Sequence, residues 1–269
     1  MIEFKNLVFL DLQKTATTSI VAFLRANVAE QEIRRAAHSS PARGHIKRKF
    51  HFLSVREPAA IYRSLFLFGC GKNGGLYSSF AKHGLADLYE PTQDKFHAWL
   101  EFMIDPEQTK RLGKRLSGMG LDDLCGPITQ RMVLVSVVAP RERFSAMTFD
   151  TREAFRKEYD RRRLFNHYVR VERLVEDLHA ALTAPENKTR FTRPIGDVED
   201  LRARMPNRNA SVKVESVQIS DVPEDLRARL RDREWLMYDL FGYDASRTGA
   251  EPPLRARPTS TLAEFTGDS

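Results

Sequence analysis

The sequence has little cysteine and no long apolar run. Its 269 residues include two cysteines, Cys70 and Cys125, which are too few for a disulfide framework and whose separation matches no zinc pattern. The longest apolar run near the start, Leu7 to Leu10, is far below the ~20 residues that span a bilayer. Charged residues interrupt this region too often for a signal peptide. We therefore expect a soluble, cytoplasmic protein with reduced thiols and no membrane span.

Acidic residues are absent between Ile33 and Arg56. This basic stretch carries a surplus that equals the formal net charge of +7 of the whole chain. A concentrated positive field favours a polyanionic ligand such as a nucleotide, an acidic glycan or nucleic acid; the alternative is a solvated basic loop. The basic residues are Arg34, Arg35, Arg43, Lys47, Arg48, Lys49 and Arg56.

Two strand–loop–helix units open the chain. Leu7–Leu10 predicts a buried strand, and the apolar residues from Ile20 to Val28 recur at helical spacing, with Thr18 or Ser19 as the N-cap. The second unit pairs a strand at Phe50–Val55 with a helix that begins at Pro58, where a missing N–H costs nothing. The apolar face of this helix is expected to hold Ile61, Leu65 and Phe68.

The rest of the chain continues the alternation of strands and helices. A glycine-rich segment, 69–75, precedes a mainly helical region at 80–116; 132–138 and 168–171 are expected to be strands, and 226–241 a helix ending at Gly242. This order predicts an α/β, P-loop-like three-layer fold with a central parallel β-sheet flanked by helices. We expect one domain over 1–245 and a disordered tail over 246–269, which has few apolar residues.

The loop after the first strand has the composition of a phosphate-binding loop. It reads Gln13-Lys14-Thr15-Ala16-Thr17-Thr18-Ser19. Between a strand end and a helix start, its backbone N–H groups and the helix dipole point at one place, where an anion binds. Hydroxyl groups add donors and Lys14 adds a point charge. The alternative is a capped helix with an incidental lysine.

The glycines of a nucleoside-triphosphate loop are missing, since Asp11, Leu12 and Gln13 occupy their places. The expected strand 132–138 runs into Ala139-Pro140, so no strand ends in an obvious magnesium-binding aspartate. Both observations disfavour a kinase or an ATPase.

The chain resembles the PAPS-dependent sulfotransferase superfamily, where PAPS is 3′-phosphoadenosine-5′-phosphosulfate. The resemblance rests on the Lys14 loop and on Arg56 at the end of a later strand, with Ser64 eight residues on. It implies that residues 13–19 hold the 5′-phosphosulfate and that Arg56 and Ser64 hold the 3′-phosphate, the two anion sites lying at the starts of successive helices. Arginine offers phosphate a planar fork of donors, and serine adds a hydroxyl.

Weaker similarities to bacterial and carbohydrate-type members extend the resemblance over about 4–244. They are Arg170-Val171-Glu172-Arg173-Leu174 with Asp177, Asn209-Ala210-Ser211, and the segment from Tyr238 to Tyr243. The chain departs from the family at Gln13, where many members have proline, and at Ala16-Thr17, where a glycine-containing pair is commoner. Lys14 and the hydroxyl groups are retained.

The implied reaction moves the sulfuryl group of PAPS to an acceptor and releases PAP (3′,5′-adenosine bisphosphate), with no metal. An in-line attack builds charge on the leaving phosphate, which Lys14 would neutralise. The acceptor proton needs a base, and histidine suits neutral pH. His38 is the first candidate and His45 the second; Glu32 is a carboxylate alternative, and His51 alternates within a strand and is expected to be packed.

Other functions stay open from the sequence. One is a nucleotide-binding phosphotransferase that uses the Lys14 loop; another is a family member that binds PAPS without transfer. A nucleic-acid-binding module is disfavoured, because the basic stretch has no aromatic residue before Phe50 and no recognisable motif. The sequence does not identify the acceptor, which could be a glycan, a lipid headgroup or a small alcohol. It does not indicate the oligomeric state either.

Overall fold

A five-stranded mixed sheet lies at the centre of the computed structural model, which describes residues 1–39, 49–112, 119–206 and 216–243. The strand order is β3-β1-β2-β4-β5. β2, β4 and β5 are parallel, whereas β1 is antiparallel to both of its neighbours. The α/β class is confirmed, with an antiparallel edge that was not predicted. The strands are β1 (Ile2–Glu3), β2 (Leu7–Asp11), β3 (Arg34–Arg35), β4 (Phe50–Val55) and β5 (His167–Arg170).

Helices make up most of the remaining described structure. The first seven are α1 (Thr17–Asn27), α2 (Pro58–Cys70), α3 (Gly74–Lys82), α4 (Gln93–Ile104), α5 (Pro106–Arg111), α6 (Pro127–Ser136) and α7 (Pro140–Phe144). The others are α8 (Arg152–Arg162), α9 (Leu174–Leu182), α10 (Val198–Arg204), α11 (Glu224–Arg233) and α12 (Trp235–Phe241). Short 3-10 turns cover Ala86–Leu88 and Val171–Arg173.

The sheet separates two apolar cores because successive strand residues face opposite sides. Val8 and Leu10 of β2 and Leu53 of β4 pack with residues of α2, α4 and α6. Phe9 and Phe52, whose rings stack with centroids 4.9 Å apart, pack with residues of α1, α9 and α10. Both faces of β2 and β4 are thus buried under helices, as parallel strands require.

The carboxyl ends of the parallel strands meet at one edge of the sheet. The register pairs Asp11 of β2 with Ser54 of β4, and Val55 of β4 with Arg170 of β5. The loop after β2 and the segment after β4 therefore leave the sheet side by side. In open α/β sheets this edge is where ligands bind.

The segment predicted as a strand at 132–138 is helical through Ser136, where α6 ends, so that prediction is wrong. Pro127 occupies the first helical turn, and most of the helix is buried, including Met132 and Val133. A helix that is buried on most sides carries no amphipathic pattern, so an apolar run does not distinguish it from a buried strand. The argument against a kinase that used a strand ending at Ala139-Pro140 therefore no longer applies. The missing glycines of the loop still disfavour a kinase.

Several smaller boundaries also differ. α2 continues through Cys70 and α3 begins at Gly74, so most of the expected glycine-rich loop is helical. The helix expected at 226–241 breaks at Glu234 into α11 and α12, and Gly242 ends it with φ 69° as predicted. The N-cap of α1 is Ala16 and not Thr18 or Ser19. Pro58 opens α2 as predicted.

Among the described residues, no helix is both long and apolar enough to cross a bilayer. The two cysteines are free, as predicted. The segment Asn209-Ala210-Ser211 and the tail at 246–269 lie outside the described residues, and the single-domain boundary stays a prediction.

Candidate functional site

The loop between β2 and α1 has a backbone that glycine usually supplies. Lys14 and Ala16 both adopt positive φ, 64° and 57°, in the left-handed region. For a residue with a Cβ this conformation costs roughly 1–2 kcal/mol. Residues of this kind in a tight turn can point successive N–H groups into one concavity, the arrangement that binds anions. The loop thus has the backbone irregularity expected at a ligand site.

The hydroxyl groups of the loop do not all face outward. Thr15 Oγ1 donates to the Leu12 carbonyl oxygen at 2.6 Å and lies 2.6 Å from Ser54 Oγ, and the Thr15 side chain is buried. Thr17 Oγ1 also donates to the Leu12 carbonyl, at 3.2 Å. These two hydroxyls hold the loop in shape and tie it to β4. Thr18 is exposed, and Gln13 is half-buried.

The start of α1 has no side-chain cap. Its N-cap, Ala16, provides no capping side chain, and the first turn contains no acidic residue. The carbonyl of Ala16 accepts from the N–H groups of Ser19 and Ile20. The positive end of the helix dipole therefore meets no carboxylate from the first turn of α1 itself.

Lys14 and Arg56 lie within electrostatic reach of each other. Burial lowers the pKa of Lys14, and the positive charge of Arg56 lowers it further. The ammonium nitrogen lies 3.5 Å from the ring centroid of Phe68 on α2. Burial also lowers the pKa of Arg63, and the charge of Arg56 adds to this effect. Arg63 Nε donates to the Val217 carbonyl at 2.7 Å. Arg56 therefore acts electrostatically on two other cations, Lys14 and Arg63.

No carboxylate within the described ranges forms an ion pair with Lys14 or Arg56. Two half-buried cations without a carboxylate partner are unusual, because buried charges are normally paired. In a partly desolvated site, the two positive charges also repel each other. Ser64, the third residue implied by the resemblance, is half-buried on α2, one helical turn before Phe68. The structure thus relates Lys14 to Arg56 and to Phe68 of α2, whereas the role of Ser64 stays a prediction.

The start of α2 is already capped, so it does not provide a second helix-terminus anion site. Glu57 Oε2 accepts from the Ala60 N–H at 2.7 Å, and Glu57 Oε1 accepts from Tyr238 Oη at 2.6 Å. The expectation of anion pockets at two successive helix starts is therefore wrong for α2. An anion near Arg56 cannot use the Ala60 N–H, because the Glu57 carboxylate occupies it.

A second carboxylate braces the same corner. Glu172 Oε1 accepts from the Glu57 N–H at 3.0 Å, and Glu172 Oε2 accepts from Tyr243 Oη at 3.1 Å. Arg170 pairs with Asp177 at 2.8 Å. The two weak sequence similarities near the carboxyl end thus meet beside Arg56 and fix the backbone that carries it. The sequence did not predict this contact.

His38 is attached to the same sheet edge through Asp11. Its backbone N–H donates to Asp11 Oδ1 at 2.9 Å, and its Nδ1 lies 3.1 Å from the Asp11 carbonyl oxygen. A carbonyl only accepts, so Nδ1 carries the proton and Nε2 is left as the basic nitrogen. The side chain is 38% exposed, and the Asp11 carboxylate is also bonded by Arg35 at 3.0 Å.

The other base candidates differ in their positions. His45 lies outside the described residues. His51 is buried in β4, as predicted. Glu32 pairs with Arg25 at 2.8 Å, and the bond to that guanidinium lowers the pKa of Glu32, which makes it a poor proton acceptor. Among these candidates, His38 contacts Asp11, the last residue of β2, after which the Lys14 loop begins.

The basic stretch is partly neutralised. Arg35 bonds Asp11, and Lys49 Nζ donates to Glu3 Oε1 at 2.6 Å. Arg43, Lys47 and Arg48 lie outside the described residues. The sequence missed the roles of Glu57, Glu172 and Asp11, since the residues next to a carboxylate in the chain do not show which distant groups it will contact.

Together the fold and the site define an α/β protein with a cationic candidate site at the carboxyl edge of its parallel strands. Comparison with known proteins gave no match: no family model, no curated protein and no solved structure aligns significantly with this chain.

Proposed function

We propose that the chain is a sulfotransferase that moves the sulfuryl group of PAPS to a hydroxyl, or an amine, of an acceptor and releases PAP. The observation that carries the proposal is the proximity of Lys14 to Arg56, two cations with no carboxylate partner in the described ranges. Their mutual repulsion disfavours the empty site, and a ligand with negative groups at both ends relieves it. PAPS has this charge distribution.

In the proposed P-loop-like site, the Lys14 loop takes the 5′-phosphosulfate. The uncapped start of α1 supplies N–H donors, and Lys14 neutralises the charge that grows on the leaving phosphate oxygen. Arg56 and Ser64 take the 3′-phosphate. Nothing in this scheme needs a metal ion.

His38 is the proposed general base. With Nδ1 donating to the Asp11 carbonyl, Nε2 accepts the proton of the acceptor hydroxyl as its oxygen attacks sulfur. We expect His38→Asn to lower kcat about 10²- to 10⁴-fold and to leave the affinity for PAP unchanged. A wild-type rate in this variant would indicate that His45 or another group is the general base.

Calorimetry with PAP, AMP and ATP tests the proposal. We expect metal-independent binding of PAP with a clear preference over AMP. Arg56→Ala should remove most of that preference, at a cost of about 1.5–3 kcal/mol for a charge-assisted contact. Arg229→Ala on α11 removes the same charge from an exposed position near Glu101 and serves as the matched control.

The alternatives give different results in the same experiment. Equal affinity for PAP and AMP would remove the basis for a 3′-phosphate site. Binding of ATP that requires magnesium would favour the phosphotransferase, against which only the missing glycines now count. Tight PAP binding without transfer to glycan, lipid-headgroup or small-alcohol acceptors would indicate an inactive member.

A further inference from the structure

Phe68 is an exposed aromatic residue on the helix that carries the site. Its neighbours Leu65 and Phe66 are buried, whereas Phe68 is 45% exposed, although its spacing predicted the apolar face. The Lys14 ammonium lies 3.5 Å from its ring centroid. At this distance the negative face of the ring attracts the cation. The exposed ring thus has a specific partner, and the partner is the lysine of the candidate site.

The ring is enclosed on a second side by Gly74, the first residue of α3. A Cβ at Gly74 would lie 2.9 Å from Phe68 Cε1 and 3.2 Å from Cδ1, closer than side-chain carbons normally approach. The glycine therefore leaves the space that the ring occupies. Because α3 follows α2 after a short turn, the position of the ring is set by the junction between these helices.

We propose that Phe68 is a positioning residue that holds the Lys14 ammonium for anion binding, and that Gly74 leaves room for the ring. The inference rests on the proposed function for the identity of the ligand, but not for the contact itself. Lys14 is half-buried and repelled by Arg56, and no carboxylate pairs with it in the described ranges. The ring face supplies attraction without a negative charge and leaves ammonium protons free to bond an anion.

Fluorination of the ring provides the test. Replacing Phe68 by mono-, tri- and pentafluorophenylalanine weakens the negative face progressively with little change of shape. We expect the affinity for inorganic pyrophosphate to fall in the same order, with a total loss of about 3- to 10-fold. Phe68→Leu, which has no ring, should bind pyrophosphate as weakly as the most fluorinated variant. The Lys14 Hε resonance, identified by its disappearance in Lys14→Arg, should be shifted upfield by the ring and lose that shift in Phe68→Leu.

Gly74→Ala is the independent variant, and Gly84→Ala is its matched control. Both glycines have positive φ, 83° and 73°, but an added Cβ at Gly84 meets nothing within 4 Å. Both changes therefore introduce similar backbone strain, and only the first displaces the ring. Gly74→Ala should reduce the Lys14 Hε shift and the pyrophosphate affinity; Gly84→Ala should change neither.

An unshifted Lys14 Hε resonance in the wild type would overturn the inference, as would a pyrophosphate affinity that does not follow fluorination. Equal effects of Gly74→Ala and Gly84→Ala would also count against it. These outcomes do not depend on PAP. If pyrophosphate behaves as expected while PAP and AMP bind equally, the positioning role of Phe68 stands and the proposed function fails.

Discussion

At the residue scale, Lys14 carries the greatest share of the proposed chemistry. We predict that Lys14→Ala lowers kcat/KM for sulfuryl transfer about 10²-fold, corresponding to about 3 kcal/mol of lost stabilisation of the leaving phosphate. Steady-state assays with PAPS and a panel of acceptors measure it. Lys110→Ala, which removes an exposed lysine of α5, is the matched control. Undiminished turnover in Lys14→Ala would exclude the role.

Ala16 is a second informative residue, because its φ of 57° strains an alanine and not a glycine. We predict that Ala16→Gly keeps PAP affinity and raises the free energy of unfolding by up to about 1 kcal/mol, since relief of strain exceeds the added freedom of the unfolded chain. Urea unfolding measures this. A clear loss of stability would show that the loop does not hold the left-handed turn.

Residue identity predicted the candidate site only in part. Lys14, Arg56 and Ser64 could be named as candidates because residue type and spacing can be read along the chain, and the structure places Lys14 within electrostatic reach of Arg56. Phe68 was assigned to the core, since an apolar residue at helical spacing is normally buried. Its exposed position over Lys14 depends on the loop after β2, which is 54 residues away along the chain. Local patterns do not contain such contacts.

At the element scale, the start of α2 is the junction on which the Arg56 region depends. Pro58 and the strand Phe50–Val55 were predicted with the bounds that the structure has, because a buried strand and a proline in the first turn are strong local signals. The cap that Glu57 provides was not predicted. It is completed by Tyr238 of α12, which approaches from the other end of the chain.

The hydrogen bond between Tyr238 and Glu57 can be tested without changing the charge. We predict that Tyr238→Phe lowers the free energy of unfolding by about 1.5–3 kcal/mol, because a buried bond to a carboxylate is lost. Tyr243→Phe removes the more exposed bond to Glu172 and should cost about 0.5–1 kcal/mol. Urea unfolding of the two variants gives the order. Equal losses would contradict the bracing of α2 by α12.

At the scale of the whole molecule, Glu234, at the junction of α11 and α12, is bonded to two distant helices, α2 and α6. Its carboxylate is fully buried between α11 and α12, accepts from Tyr62 Oη of α2 at 2.5 Å, and accepts from the Thr129 N–H of α6 at 2.7 Å. Burial raises the pKa of Glu234 from its ordinary value of 4.5, against the effect of its donors. Loss of this group would leave buried donors unpaired in α2 and α6 at once.

This buried acid gives the stability a pH dependence of known sign. The folded protein binds the Glu234 proton more tightly than the unfolded chain, so its contribution is complete below 4.5 and declines as the pH rises through the raised pKa. We predict that the wild type loses free energy of unfolding relative to Glu234→Gln as the pH rises above 4.5 and through the raised pKa. Chemical unfolding at several pH values measures the difference. Parallel curves for the two proteins would contradict a raised pKa.

The sequence by itself determined the strand–loop–helix units, the buried strands β2 and β4 and the position of the Lys14 loop between β2 and α1, because each depends on neighbours within a few positions. The tertiary structure decided what periodicity does not encode. It made 132–136 a buried helix, placed Phe68 over Lys14 and brought Glu57, Glu172 and two tyrosines together. These features follow from packing between segments far apart in the chain, where burial and pairing outweigh local preference.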